Sequence, residues 1–94
     1  MSTPVMQDTF IVKDDGIVGG FARIAGTRIK VHHIVIEYDR MGWTPDQICD
    51  QHPSLSLAQV HAAIAYYYAN KEQIDREIRE DQEFIEQVRK SRTQ

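Results

Sequence analysis

Gly42-Trp43-Thr44-Pro45-Asp46-Gln47-Ile48-Cys49-Asp50-Gln51-His52-Pro53-Ser54-Leu55-Ser56-Leu57-Ala58-Gln59-Val60-His61-Ala62-Ala63-Ile64-Ala65-Tyr66-Tyr67-Tyr68 is the stretch that decides the fold. Thr44 offers the side-chain oxygen an N-cap needs, and Pro45 follows at the first helical position, where its missing N–H costs nothing. Gln47, three residues after Thr44, completes a capping box. Pro53 ends this short helix because it disfavours helical geometry at His52. Ser56 opens the next helix, and Gln59 repeats the three-residue offset. The reading is a short helix over 45–52, a turn plugged by Leu55, and a longer helix over 56–70. This is a helix-turn-helix pattern, in which the second helix can lie in the major groove of DNA.

Upstream, His32 to Met41 reads as a first helix. Val31, Ile34, Val35, Tyr38 and Met41 recur at the spacing of one apolar stripe, and Gly42 is placed to stop it. Phe10-Ile11-Val12 is a short β-prone run, expected to pair with the Phe21–Val31 segment or with a second subunit. Asp14-Asp15-Gly16 and Gly19-Gly20 read as turns, with Ile17 and Val18 between them as possible core residues. In Phe21–Val31 two β-prone pieces flank Ala25-Gly26-Thr27, and Ile29 and Val31 alternate with Arg28 and Lys30, the period of a half-buried strand. A small hairpin or a pair of extended arms follows from this.

In the longer helix Leu57, Val60, Ile64 and Tyr67 are expected inward, leaving Ala58, Gln59, His61, Ala62 and Ala65 outward. From Lys71 the composition changes. Opposite charges at i, i+4 (Glu72/Arg76, Asp75/Arg79, Arg76/Glu80, Glu86/Lys90) favour a solvated helix. Ile74, Ile78, Ile85 and Val88 draw a thin apolar seam along it, with Phe84 beside the seam and Asp81 interrupting it. The domain reading is a flexible N-terminus over 1–9, a β arm and helix-turn-helix over 10–70, and a charged C-terminal helix or tail over 71–94. The fold class is mainly α with a small N-terminal β element.

The chain of 94 residues is 41% hydrophobic, enough for one small core, and domains of this size often gain stability by oligomerising. A net charge of -3 argues against a dedicated nucleic-acid binder, which usually carries a basic excess. Cys49 is the single cysteine, so no intramolecular disulfide forms. There is no membrane-length apolar run and no signal-peptide pattern over Met1–Asp8. A cytoplasmic protein is expected.

These residues resemble a bacterial family catalogued as uncharacterised domain family 433, an antitoxin-like helix-turn-helix group. The resemblance runs from about Phe10 to Tyr68. It rests on Gly19-Gly20, Ile24-Ala25-Gly26-Thr27-Arg28-Ile29 with Val31, then Gly42, Thr44-Pro45, Ile48, His52-Pro53, Leu55 and Ala62-Ala63-Ile64. Phe21-Ala22 departs from it, because the family often has a basic residue and a proline there. The resemblance implies a dimeric DNA-binding regulator with an N-terminal β arm, of the kind found beside nuclease-like toxin genes. It says little about residues 71–94.

For DNA contact the candidates are Arg23, Thr27, Arg28 and Lys30 on the arm and Ser56, Gln59 and His61 at the start of the longer helix. Glutamine can pair with an adenine edge, and basic residues neutralise phosphates. That helix has no Lys or Arg before Lys71, so a module that binds only protein is the competing reading. Candidate interface residues are Phe10, Ile11, Val12, Tyr66 and Tyr68, against the alternative that the tyrosines lie under the C-terminal helix. His32, His33, Glu37, Cys49, His52 and His61 show no recognised zinc spacing, so neither metal nor cofactor is expected. Cys49 has no catalytic partner in sequence and no phosphate loop is present, so the chain reads as a non-enzyme.

Overall fold

The computed structural model describes residues 10–13 and 20–92. The N-terminal segment 1–9, the Asp14-Asp15-Gly16 turn, Ile17, Val18 and Gly19 lie outside the described residues. β1 (Ile11–Val12) and β2 (Arg23–Ile24) pair antiparallel, with Ile11 opposite Ile24 and Val12 opposite Arg23. The Phe10–Val12 run thus finds its partner strand in its own chain.

After β2 the backbone reverses at Ala25-Gly26. Thr27 N–H donates to the Ile24 carbonyl at 3.0 Å, and Gly26 has φ +80°, the left-handed value that the third residue of a type II turn requires. Ile24 N–H then donates to Ile29 and Val31 N–H to Ala22, both at 2.9 Å. The expected hairpin is present and feeds directly into α1.

α1 (Val31–Val35) continues as one π-helical turn over Ile36–Arg40, where the Met41 N–H reaches back five residues to the Ile36 carbonyl at 3.0 Å. The wider turn corrects the single stripe expected through Met41. It carries Ile36 against the core and leaves Met41 exposed. Gly42, at φ +76°, ends the segment as expected.

α2 (Pro45–Gln51) and α3 (Leu57–Ala69) carry the two capping boxes. Thr44 Oγ1 accepts from Gln47 N–H at 3.1 Å, and Gln47 Oε1 accepts from Thr44 N–H at 2.8 Å. Ser56 and Gln59 repeat the exchange at 3.2 and 2.7 Å. His52 sits at φ -126°, ψ 77°, outside the helical region that the following proline disfavours.

On α3, Val60, Ala63, Ile64 and Tyr67 face the core, and Leu55 plugs the turn before it. Two expectations need correction. Leu57 is 45% exposed: it lies on the first turn, where Leu55 already fills that end of the core. Ala62 is buried, because α1, α2, α4 and β1 all pack on α3 and cover more than one of its sides.

Asn70 joins α3 to α4 (Lys71–Arg92). Its side-chain amide donates to the Tyr66 carbonyl and its own carbonyl accepts from Ile74 N–H, both at 3.0 Å. Ile74 and Ile78 are in the core, so the core continues past residue 70. Glu77 is buried beside them and accepts from Gln73 Nε2 at 3.0 Å and from Lys13 Nζ at 3.3 Å. From Gln82 to Ser91 every residue is exposed. α4 is therefore an anchored inner half and a projecting outer half. None of the helices among the described residues is long and apolar enough to cross a membrane.

Leu55→Ala should destabilise the protein by about 2–4 kcal/mol, because a buried leucine leaves both lost transfer energy and a cavity. In a domain of this size that lowers the melting temperature by roughly 10 °C or more. An unchanged melting temperature would show that Leu55 does not plug the turn.

Candidate functional site

The hairpin residues expected at DNA separate into two groups. Arg23 is 8% exposed, and its Nη1 donates to the Thr27 carbonyl at 3.1 Å. It braces the turn from inside and is not presented on an exposed arm. The exposed arm expected for it is absent because the hairpin lies against the domain and buries both residues of β2. Thr27 Oγ1 donates to the Ile24 carbonyl at 2.8 Å and accepts from Ile29 N–H at 3.0 Å, so its hydroxyl is engaged in holding the turn. Lys30 is half-buried, with Nζ 3.9 Å from Asp81 Oδ1 and 5.0 Å from the centre of the Phe21 ring. Arg28 is exposed.

At the start of α3, Ser56 Oγ and Gln59 Oε1 are both engaged in the capping box. Bidentate recognition of adenine uses the glutamine carbonyl as well as its NH2 group, and Gln59 Oε1 already accepts from Ser56 N–H. His61 is exposed. Between Arg40 and Lys71 the sequence has no Lys or Arg, while Asp46 and Asp50 are exposed on α2. The outer face of α2 and α3 therefore offers no fixed positive charge to a phosphate backbone.

The expected interface residues also divide. Ile11 and Tyr66 pack on their own core, and Tyr66 Oη donates to Gln73 Oε1 at 3.2 Å. Tyr66 thus follows the alternative reading, under the C-terminal helix. Phe10 and Val12 are half-buried, and Tyr68 is exposed with Lys71 Nζ 6.0 Å from its ring centre. Cys49 is half-buried, and burial followed by Asp46 and Asp50 pushes its thiol pKa up, away from the thiolate a nucleophile needs.

One cluster was not legible in the sequence. His32 is fully buried on α1, yet its Nε2 lies 3.2 Å from Asp81 Oδ2 on α4. His33 Nε2 approaches the same oxygen at 3.8 Å from a side chain 48% exposed. The Phe21 ring stands edge-on to the His32 imidazole, centroids 5.4 Å apart. Asp81 is 49 positions from His32, and in the sequence it reads only as a break in the apolar seam. A second pair, His52 Nε2 with Glu37 Oε1 and Oε2 at 3.0 Å, ties the end of α2 to the π-helical turn.

Burial penalises the imidazolium form and holds both His32 and His33 below their ordinary value of 6.5. For His32 the Asp81 hydrogen bond opposes this; for His33 the charge of Lys30 adds to it. The unfolded chain thus takes up protons at these sites more readily than the folded one. Stability from these groups is complete above pH 6.5 and is lost as pH falls through the lowered folded values. The urea midpoint should be lower at pH 5.5 than at pH 7.5. A midpoint that is level or higher at pH 5.5 would contradict this.

Comparison with known proteins places the chain. The family model described as a protein of unknown function, DUF433, matches residues 11–67. A crystal structure of a DUF433 member protein from Anabaena variabilis ATCC 29413 is similar, with 38% sequence identity and a TM-score of 0.67, covering 78% of this chain and 71% of that one. No curated protein matches. The family match spans most of the β arm, α1, α2 and α3, and the solved member shares both sequence and fold with them: the chain belongs to the DUF433 family.

Proposed function

We propose that this protein is a protein-binding module on a helix-turn-helix frame, with the outer half of α4 as its binding element. The observation that carries this reading is the row Phe84, Ile85 and Val88, exposed 63%, 47% and 38% on a helix whose inner half is fixed to the core. Ile74, Ile78, Asp81, Ile85 and Val88 alternate at four and three residues, the 3.5-residue repeat with which helices pack on one another. The inner isoleucines already use that seam. The outer pair continues it into solvent, where the apolar groove or helix of another protein can cover it.

In the antitoxin role that the family resemblance suggests, the partner is a nuclease-like toxin. A homodimer through the β1 edge and Tyr68 belongs to the same proposal. So does a cytoplasmic location, supported by the free thiol of Cys49.

DNA binding is the second reading. The capped pair α2 and α3 favours it, as does the exposure of Arg28, a side chain able to meet a phosphate. The charge distribution opposes it, because phosphate neutralisation supplies most non-specific affinity.

Three measurements test these readings. Co-expressed with the product of the neighbouring gene, the wild type should co-purify with it, and the double variant Phe84→Glu/Ile85→Glu should not, while keeping its melting temperature. Retention of the partner by this variant would remove α4 as the binding element. In a gel shift against its own upstream region, the protein should give no retardation at low salt even at roughly tens of micromolar, within the usual range of non-specific affinities. Retardation that Arg28→Ala weakens would favour the DNA reading instead. Sedimentation should give a dimer at micromolar concentration; a stable monomer would remove the homodimer.

A further inference from the structure

We propose that His32, His33 and Asp81 form a binding site for a divalent transition metal, with zinc as the best fit. The argument stands apart from the protein-binding reading and rests on where three side chains converge. Each offers a ligand atom, and these atoms lie within 4.8 Å of one another. The two edges that share Asp81 Oδ2 measure 3.2 and 3.8 Å. Tetrahedral zinc with bonds of about 2.0–2.2 Å has ligand–ligand edges of about 3.3–3.5 Å. One edge is already at that length, the second exceeds it by a few tenths of an ångström, and the His32–His33 edge lies within 4.8 Å, so the site closes by movement of the His33 side chain toward the other two ligands.

The donor set is chemically suited. Two imidazoles and one carboxylate match zinc, and three protein ligands leave a fourth position for water. The ligands differ in rigidity in a useful way. His32 is fixed by complete burial and by the edge of Phe21, whereas His33 and Asp81 reach solvent and give an ion its path of entry. Lys30 sits 3.9 Å from Asp81 Oδ1, so it orients the carboxylate and leaves Oδ2 to face the two histidines. Among the described residues His32 Nδ1 has no hydrogen-bond partner. A metal-bound histidine normally donates its other N–H, and loss of that support weakens binding by roughly 10–100-fold. The site is therefore weaker than a fully backed one.

Its position gives it a structural consequence. His32 and His33 belong to α1, while Asp81 is the last residue of α4 before the fully exposed run that begins at Gln82. A bound ion cross-links the two helices at the base of the projecting arm.

The test uses tag-free full-length protein stripped with a chelator and then titrated with zinc by calorimetry, with cobalt(II) as a spectroscopic probe. One equivalent should bind, raise the melting temperature, and give with cobalt the visible absorption of a tetrahedral site. His33→Ala, at a half-exposed position outside the hydrophobic core, should lower zinc affinity at least about tenfold. Asp81→Asn should do the same, and Cys49→Ser and His52→Ala should leave it unchanged. No binding at roughly 100 μM zinc would overturn the proposal, as would binding that His33→Ala leaves intact.

Discussion

A five-residue helix buried at four of its five positions is the constraint on which the rest of the structure depends. Val31, His32, Ile34 and Val35 of α1 are all essentially without solvent contact. A helix exposed only at His33 needs neighbours on every other side, and α3 and α4 pack on it directly while the hairpin runs straight into its first residue. His32 sharpens the requirement. A buried imidazole without a hydrogen bond is costly, and the carboxylate that meets it comes from α4. The core therefore includes the inner half of α4, which the sequence presents as a charged helix with a thin apolar seam.

This also explains which parts of the fold were legible. Local punctuation was: Thr44/Gln47 and Ser56/Gln59 are capping boxes, Gly42 takes a positive φ, and Pro53 keeps His52 out of the helical region. Each depends only on residues a few positions apart. Register was legible where the helix was regular, as for Val60, Ile64 and Tyr67. It failed at Met41, because a π-helical turn broke the assumed period, and at Leu57, because Leu55 had taken its place in the core. Arg23 was misread because a hairpin packed on a domain does not leave one face of its strand to water. Asp81 could not be found from spacing, because its partners are supplied by tertiary packing alone.

The distribution of charge and apolar surface separates the two functional readings. Basic side chains near the hairpin are partly committed to internal contacts: Arg23 to the Thr27 carbonyl, Lys30 to Asp81 and Phe21. The face of α2 and α3 presents Asp46, Asp50 and His61 in place of lysine and arginine. The strongest unsatisfied surface is instead on α4, about 33 Å long at 1.5 Å per residue, where an apolar row continues beyond the core. Its inner half is held by Ile74 and Ile78 in the core and by polar stitches, Tyr66 to Gln73, Tyr67 to Asp75, Lys13 to Glu77 and His32 to Asp81. They fix the helix in one direction and leave its far half open to a partner.

Amide hydrogen exchange along α4 in the isolated protein tests this division most directly, since exchange reports local opening residue by residue. Amides from Ile74 to Asp81 should be protected nearly as strongly as those of α1 and α3. Amides beyond Gln82 should exchange orders of magnitude faster until a partner is added. Equal protection along the whole of α4 in the isolated protein, or rapid exchange at Ile74 and Ile78, would contradict the account.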